Sequence, residues 1–263
     1  MPTLDLQDRI AAFPRWHYRF EFEGGEATPV VDLGKINRHE QRRRYFFDAL
    51  LQVTGGSLEG RRVLDLGCNA GWWSLQAIEA GADFVLGVDN RHMHIDQANL
   101  VFEAKGIDST RYRFEQGDVF THDFGDPFDV VLCLGLMEHV ARPVELLECI
   151  AATGAELLVI DTALSGARSS SFEVSHSEEP DAHGELVLVP TRDAVIELAA
   201  RSGYNAVALA RNIIDYTGLD DYRRLRRLAF ICSRSASLQM LPREAGSPLA
   251  ARWTTMLAAA RRG

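Results

Sequence analysis

Three aspartates punctuate the first half of the chain, each closely tied to a short apolar run. They are Asp65 in Val63-Leu64-Asp65-Leu66, Asp89 in Gly87-Val88-Asp89 and Asp118 in Gly117-Asp118-Val119. The first run passes directly into Gly67-Cys68-Asn69-Ala70-Gly71. Glycines so spaced after a strand permit a tight turn and let the following helix start close to the sheet. Asn69 stands between them, and Asn tolerates a left-handed backbone better than most side chains. N–H groups left exposed at such a turn can bond the carboxylate of a ligand. Asp89 comes 22 residues after Gly67, a spacing that suits an acid bonding both hydroxyls of a ribose. Asp118 is placed to accept from an adenine amino group. Asp65 lies within its run, where a purely structural strand would carry an apolar residue. Each feature alone has a plainer reading: a turn, a cap on a helix beginning near Arg91, a turn acid. Together they suit a nucleoside-bearing ligand.

The elements that must hold these residues follow a regular rhythm. Apolar runs at Arg62–Leu66, 84–88, Tyr112–Gln116, 128–134 and 155–161 alternate with helical patterns, two ending near Ala80 and Lys105 and one opening at Pro143. Such alternation predicts βαβ units and a mainly parallel sheet, with helices on both faces. Pro190-Thr191 opens a further helix through Arg201, and runs at 205–210 and 228–233 predict a closing antiparallel pair. Ahead of this core, residues 3–12 read as a short helix and 16–23 alternate like a strand before Gly24-Gly25. Residues 37–53 read as a helix with a stripe of Tyr45, Phe46, Ala49, Leu50 and Val53. Residues 162–186, rich in Ser, Glu, Asp and His, read as a long irregular loop of the kind that is usually functional. A helix is expected from about 248 to 262. The chain thus divides into an N-terminal extension (1–60), a core (61–235) and a C-terminal helical tail (236–263).

Bulk properties narrow the field. With 263 residues, 46% hydrophobic and 25% charged, the chain has the balance of an ordinary globular protein. The longest apolar run, 130–137, falls well short of the roughly 18 residues that span a bilayer. Met1 to Ile10 lacks the basic-then-apolar pattern of a secretory signal, so the cytoplasm is the expected location. Cys68, Cys133, Cys149 and Cys232 are far apart with no C-x-x-C pair, and no metal site is expected. The net charge of −9 disfavours a protein whose main task is to grip phosphate backbones. Two arginine clusters, at residues 38 and 42–44 and at 223, 224, 226 and 227, read as solvated helix faces.

Val63-Leu64-Asp65-Leu66-Gly67-Cys68-Asn69-Ala70-Gly71-Trp72-Trp73-Ser74 resembles the first motif of class I S-adenosylmethionine-dependent methyltransferases. Gly87-Val88-Asp89-Asn90 resembles their second, and Gly117-Asp118-Val119-Phe120 their adenine-binding motif. The stretch from Phe128 to Val140 resembles their fourth strand and the loop after it. All four occur in the family's order. The resemblance implies an α/β, Rossmann-like fold with a seven-stranded, mostly parallel sheet, its last strand antiparallel, and an N-terminal lid. It further implies S-adenosylmethionine as cofactor. Gly67 to Gly71, Cys68 and Asn69 included, would line its methionine part and Asp89 the ribose, with Asp65, Trp72 and Asn90 also among the cofactor-binding residues. Asp118 and Val119 would meet the adenine, and Leu134 to Met137 would lie beneath the transferable methyl. Of Trp72 and Trp73, one is expected in the core and one near the cofactor. A looser similarity links Trp16-His17, Thr28-Pro29, Val189-Pro190-Thr191 and Gly203-Tyr204 to the wobble-uridine tRNA methyltransferase-like family, many of whose members act on small molecules. This chain departs from that pattern at Thr28-Pro29-Val30, which lacks the usual glycine.

Methyl transfer from a sulfonium is an in-line displacement, for which alignment supplies much of the catalysis. A hydroxyl nucleophile also needs a base. His139 is the nearest candidate by motif position, with His176 and His183 as rivals in the irregular loop. His17, Lys35, Arg38 and Tyr45 belong to the lid that would close over the site. The leading reading is methylation of oxygen or nitrogen on a metabolite or natural product, in secondary metabolism. A tRNA-modifying enzyme of the same fold is the alternative. From other classes, a nucleotide-binding oxidoreductase would want a G-x-G-x-x-G spacing that Gly67 and Gly71 do not provide. A non-catalytic cofactor-binding module stays open.

Overall fold

A computed structural model describes residues 5–176 and 186–244. Its main sheet has seven strands. They are β1 (Arg62–Leu66), β2 (Phe84–Asp89), β3 (Tyr112–Gln116), β4 (Val130–Leu134), β5 (Leu157–Ala163), β8 (Asn205–Ala208) and β9 (Arg227–Ser233), in the order β3-β2-β1-β4-β5-β9-β8. The first five run parallel, while β9 is antiparallel to both neighbours. The expected α/β, mostly parallel seven-stranded fold is therefore present.

Alternation along the strands explains why helices cover both faces. In β4 all five residues are buried, with Val130, Leu132 and Leu134 feeding one half of the core and Val131 and Cys133 the other. A strand buried on both sides reads as a continuous apolar run. On one face α4 (Trp72–Glu79) and α5 (His92–Ala104) pack with the N-terminal segment, which contributes Trp16, Tyr18, Phe20, Phe22 and Phe46. On the other, α6 (Pro143–Ala152) and α7 (Arg192–Arg201) bury Leu146, Leu147, Ile150 and Val195.

The N-terminal segment departs from the simple pattern. After α1 (Leu6–Ala11), residues 16–23 form no strand, only an isolated bridge between Glu21 and Ala27. The arms exchange Phe22 N to Glu26 O and Thr28 N to Phe20 O, each at 3.0 Å, but the Thr28 hydroxyl then accepts from the Phe20 amide at 2.8 Å and donates to the Tyr18 carbonyl at 2.8 Å, so the ladder stops there. Helix α2 (Leu33–Arg42) begins earlier than the stripe suggested, because Asp32 caps it by accepting from Gly34 N at 2.8 Å and Lys35 N at 3.2 Å. It continues through a π-helical turn (Arg43–Phe47) into α3 (Asp48–Val53). The wider turn lets three consecutive aromatics, Tyr45, Phe46 and Phe47, all face inward.

The segment 162–186 also departs from expectation. Strand β5 extends to Ala163, and β6 (Phe172–His176) pairs antiparallel with β7 (Leu186–Pro190) as a separate two-stranded sheet. The pattern was hidden because β6, Phe-Glu-Val-Ser-His, is largely exposed and has only two apolar residues, Phe172 and Val174, too few to stand out. The short helix α8 (Asp220–Arg223) precedes β9. The helix expected at 248–262 lies outside the described residues, as does His183. Among the described residues no helix is long and apolar enough to cross a membrane.

Strand β1 carries an acid into this core. Asp65 is 1% exposed and accepts from the Ser74 hydroxyl at 2.7 Å. Burial pushes its carboxyl up to about 7, opposed by the hydrogen bonds from Ser74 and assisted by the charge of Asp89. The folded chain thus keeps this proton to a higher pH than the unfolded chain, whose aspartates titrate near ~3.9. Its contribution to stability is greatest in acid and is lost as pH rises from about 4 to about 7. Asp65→Asn removes that loss. Chemical denaturation is predicted to show the variant gaining a few kcal/mol on the wild type between pH 5 and pH 8; a constant difference across that range would refute it.

Candidate active site at the strand ends

The glycine turn after β1 is built as expected in backbone but not in its free donors. Gly67 and Gly71 have φ of 70° and 78°, and Asn69 is left-handed at 50°. A Cβ on Gly71 would sit 3.0 Å from Phe114 Cζ and 3.2 Å from Phe102 Cε2, which is why the helix can begin only with glycine there. The turn's amides, however, are all engaged within the protein. Gly67 N and Cys68 N donate to the Val88 carbonyl at 2.8 and 3.1 Å, and Gly71 N to the Cys68 carbonyl at 2.9 Å. Asn69 N donates to Asp89 Oδ2 at 3.0 Å, and Ala70 N to Asn69 Oδ1 at 2.7 Å. A ligand carboxylate must therefore find its partners among side chains.

Asp89 ends β2 and serves two structural bonds at once. Besides Asn69 N, it accepts from Arg91 N at 2.9 Å, at the start of α5, and His94 Nδ1 lies 3.1 Å from its Oδ1. Burial alone would raise its carboxyl, but His94 and the Arg91 and Asn69 amides together hold it below the usual carboxylate range. The capping role and a place on the cleft wall thus coexist in one ionised side chain. Asp118 is exposed and accepts from Phe120 N at 3.0 Å, a turn acid that also lines the cleft beside Val119.

Two cavities open at the carboxyl ends of the strands, where open parallel sheets place their ligands. The first, about 570 Å³, is walled by Gly67, Asn69, Asp89, Asn90, Asp118, Val119 and Leu134. The second, about 710 Å³, lies between residues 15–17, Lys35 of α2, the start of α5 and the β6–β7 pair. Val187 and Val189, two apart on β7, face it together. Both cavities are lined by Asn69, Arg91, Glu138, His139 and Arg227, so they meet along a wall formed by the turn Met137–His139 after β4.

Of the residues singled out from sequence, Asp65, Cys68, Gly71, Trp72 and Met137 line neither cavity. Trp72 and Trp73 are both buried, at 7% and 2%, rather than divided between core and cleft. They pack edge to face at 4.6 Å because Tyr18 stacks on Trp72 and closes it off. Burial pushes the Cys68 thiol up, so it remains protonated. His139 is exposed on the shared wall, and His176 reaches the larger cavity from β6.

The principal feature that sequence reasoning missed is a buried network of charges beside the cleft. Arg42 Nη2 donates to Asp161 Oδ2 at 2.7 Å, Arg227 Nη1 to the same oxygen at 3.0 Å, and the Tyr222 hydroxyl to Asp161 Oδ1 at 2.6 Å. Arg227 also bonds Glu138 and Asp221, while Arg38 grips Asp221 through both nitrogens, at 2.8 and 2.6 Å. Glu138 is buried. Burial would raise it, but Arg227 and then His139 hold it below the ordinary range. The arginine clusters are thus not simply solvated faces: Arg38, Arg42 and Arg227 turn inward because carboxylates wait for them. A signal existed in the spacing, since Arg38, Arg42 and Phe46 recur every four residues on the stripe that packs inward. Arg42 lines the cleft, and its Nε, buried over the Trp73 ring, has no hydrogen-bond partner among the described residues. Among the described residues no cluster of three or more His, Cys, Asp or Glu side chains is arranged to hold a metal ion.

The chain is 34% identical over 102 residues to a ubiquinone biosynthesis O-methyltransferase of Bordetella avium (strain 197N), covering 39% of this chain and 42% of that protein. It is 30% identical over 148 residues to one of Acinetobacter baumannii (strain AYE), covering 56% of each. The chain therefore spans only about half the length of these curated relatives. Among solved structures, the N-terminal domain of EvdMO1 with SAH bound superposes with a TM-score of 0.66 at 22% identity, over 88% of this chain and 96% of that one. The magnesium protoporphyrin IX methyltransferase (ChlM) from Synechocystis PCC 6803 with bound SAM gives 0.57 at 16% identity, over 89% and 100%. These likenesses establish a shared fold. The family model described as "Methyltransferase domain" matches residues 38–209, so the chain belongs to that family, in agreement with the class I S-adenosylmethionine-dependent resemblance of its motifs.

Proposed function

We propose that this chain transfers a methyl group from S-adenosylmethionine to oxygen or nitrogen of a small metabolite or natural product. The observation that supports this best is the pair of cavities meeting at the Glu138–His139 wall: one walled by the motif residues at the strand ends, the other by the N-terminal segment and the β6–β7 pair. The bound cofactor supplies an electrophilic methyl on a sulfonium, and the protein's task is to align, shield and deprotonate. Asp89 and Asn90 would hold the ribose, and Asp118 and Val119 the adenine. Gly67 and Asn69 would frame the methionine part, with Leu134 beside the reacting centre. Asp65, Cys68, Gly71, Trp72 and Met137 act from behind this wall by fixing its backbone.

Arg42 would take the methionine carboxylate. The turn amides are already engaged, whereas Arg42 lines the cleft and its buried Nε keeps an unused donor. That unmet donor is also the best sign that the cleft fits an anionic ligand end. His139, exposed on the shared wall, would accept the proton from a hydroxyl acceptor, since its neighbour Glu138 is committed to Arg227. Residues 1–60 and 162–186 would cover the acceptor, and residues 61–235 would form the cofactor-binding core before a tail at 236–263. We place the enzyme in the cytoplasm, in secondary metabolism. The ubiquinone O-methyltransferase relatives support a small-molecule acceptor. The tRNA reading is weakened because Arg38, Arg42 and Arg227 spend their charge on internal carboxylates.

Three experiments test these assignments. Incubation with methyl-labelled cofactor and either a metabolite extract or bulk tRNA is predicted to place label in the small-molecule fraction; label confined to tRNA would reverse the choice. By calorimetry with S-adenosylhomocysteine, Asp89→Ala is predicted to weaken binding at least tenfold, the loss of charge-assisted bonds, with an unchanged circular dichroism spectrum. Equal affinity would leave Asp89 a cap alone. Arg42→Lys keeps the charge that balances Asp161 but loses the fork. It is predicted to weaken S-adenosylhomocysteine about tenfold while leaving 5′-methylthioadenosine, which lacks the amino-acid end, within about threefold. A parallel loss for both ligands would remove Arg42 from the carboxylate.

A further inference from the structure

The described residues lining the larger cavity include four cations, Arg15, Lys35, Arg91 and Arg227, and one carboxylate, Glu138. This is a reversal within a chain whose net charge is −9. Glu138 and Arg227 are already paired with each other, and Arg227 is held further by Asp161 and Asp221. Lys35 and Arg91 differ. Neither side chain has a carboxylate within ion-pair distance among the described residues, although ion pairs are frequent elsewhere. They come from separate elements, Lys35 from the first turn of α2 and Arg91 from the link between β2 and α5, yet both face one chamber.

A second observation points the same way. His39, buried behind the chamber, is kept neutral: burial is the main cause, and the positive charges of Arg42, His17, Arg38 and Lys35 add to it. Arg42 and Arg38 are offset by Asp161 and Asp221, so the contribution that bears on the chamber is that of Lys35. Among the described residues lining the chamber the carboxylate, Glu138, is already paired with Arg227, and a low-dielectric cleft concentrates the field of the cations that remain. The rest of the wall is of another kind. Trp16, Met93, Ala163, Val187 and Val189 offer apolar surface. A volume of about 710 Å³ is that of a small-molecule site, not a groove for a polymer.

We propose that the methyl acceptor is an organic acid, a small molecule with an apolar body seated on Val187, Val189 and Met93 and a carboxylate received by Lys35 and Arg91. This rests on reading the larger cavity as the acceptor chamber. Arg91 offers a fork that matches a carboxylate, and Lys35 a mobile point charge. The pairing explains why an acidic protein keeps two cations facing a cavity with no carboxylate partner among the described residues: an anion repelled by the net charge is drawn in there.

The test uses the full chain saturated with S-adenosylhomocysteine, whose binding is measured first so that a failure of the cofactor reading is seen separately. A panel of aromatic carboxylic acids, salicylate among them, is titrated beside the matching neutral amides, such as salicylamide, following Trp fluorescence and calorimetric heat. At least one acid is predicted to outbind its amide by about tenfold, the worth of a charge-assisted contact. Lys35→Gln and Arg91→Gln are each predicted to reduce that ratio at least threefold while the amide's own affinity stays within twofold, a pattern that loss of folding does not give. A panel in which no acid outbinds its amide overturns the proposal. So does a preference that survives both substitutions.

Discussion

Asp161 stands at the carboxyl end of β5 with no exposed surface, where a lone carboxylate would cost several kcal/mol to desolvate. It is stabilised by three donors from three parts of the chain: Arg42 of α2, Tyr222 of α8 and Arg227 of β9. Withdrawing one partner from such a buried pair typically costs about 3–5 kcal/mol, because the remaining charge is stranded. The carboxylate therefore fixes the N-terminal helix against the far edge of the sheet. Through Arg227 it also fixes Glu138, and with it the turn after β4 on which both cavities border. The shape of the site is set from behind by charge.

The same constraint explains a division of labour around the glycine turn. Its amides are satisfied by Val88, Cys68, Asn69 and Asp89, which makes the turn rigid but electrically closed. Charged recognition is then left to side chains, and the network supplies them already oriented. A guanidinium held over an aromatic ring and against a carboxylate loses little freedom when it meets a ligand. The loops facing the acceptor are built differently. Strands β6 and β7 pair only with each other, so this wall of the chamber can vary without disturbing the main sheet.

Much of the fold was legible because its signals are local. Each core strand is a short apolar run next to a helical pattern, and Asp89 and Asp118 fall where backbone geometry alone puts them at or just past the strand ends. The hairpin was not legible: β6 is largely exposed, and its alternation is limited to Phe172 and Val174, too short to mark a half-buried strand. The alternating residues after Trp16 misled for the opposite reason. Their alternation is real, with Trp16, Tyr18, Phe20 and Phe22 all buried, but the Thr28 side chain takes the backbone partners a strand would need.

The two acids within core strands mark the boundary of what local reading can reach. Asp65 and Asp161 look alike in sequence, each a single carboxylate inside or closing a run of branched aliphatics. Their environments are opposite. Asp65 meets one hydroxyl and the nearby charge of Asp89, and its carboxyl rises to about 7. Asp161 meets two guanidiniums and a phenol. The compensating arginines lie 119 residues before it and 66 after it, so no window along the chain contains the pair. What could have been read is a mismatch on each side: an arginine on the inward stripe of α2 and an acid in a buried strand. Burial penalises either alone far more than both together, so each implies an unseen partner, and here they are the same pair.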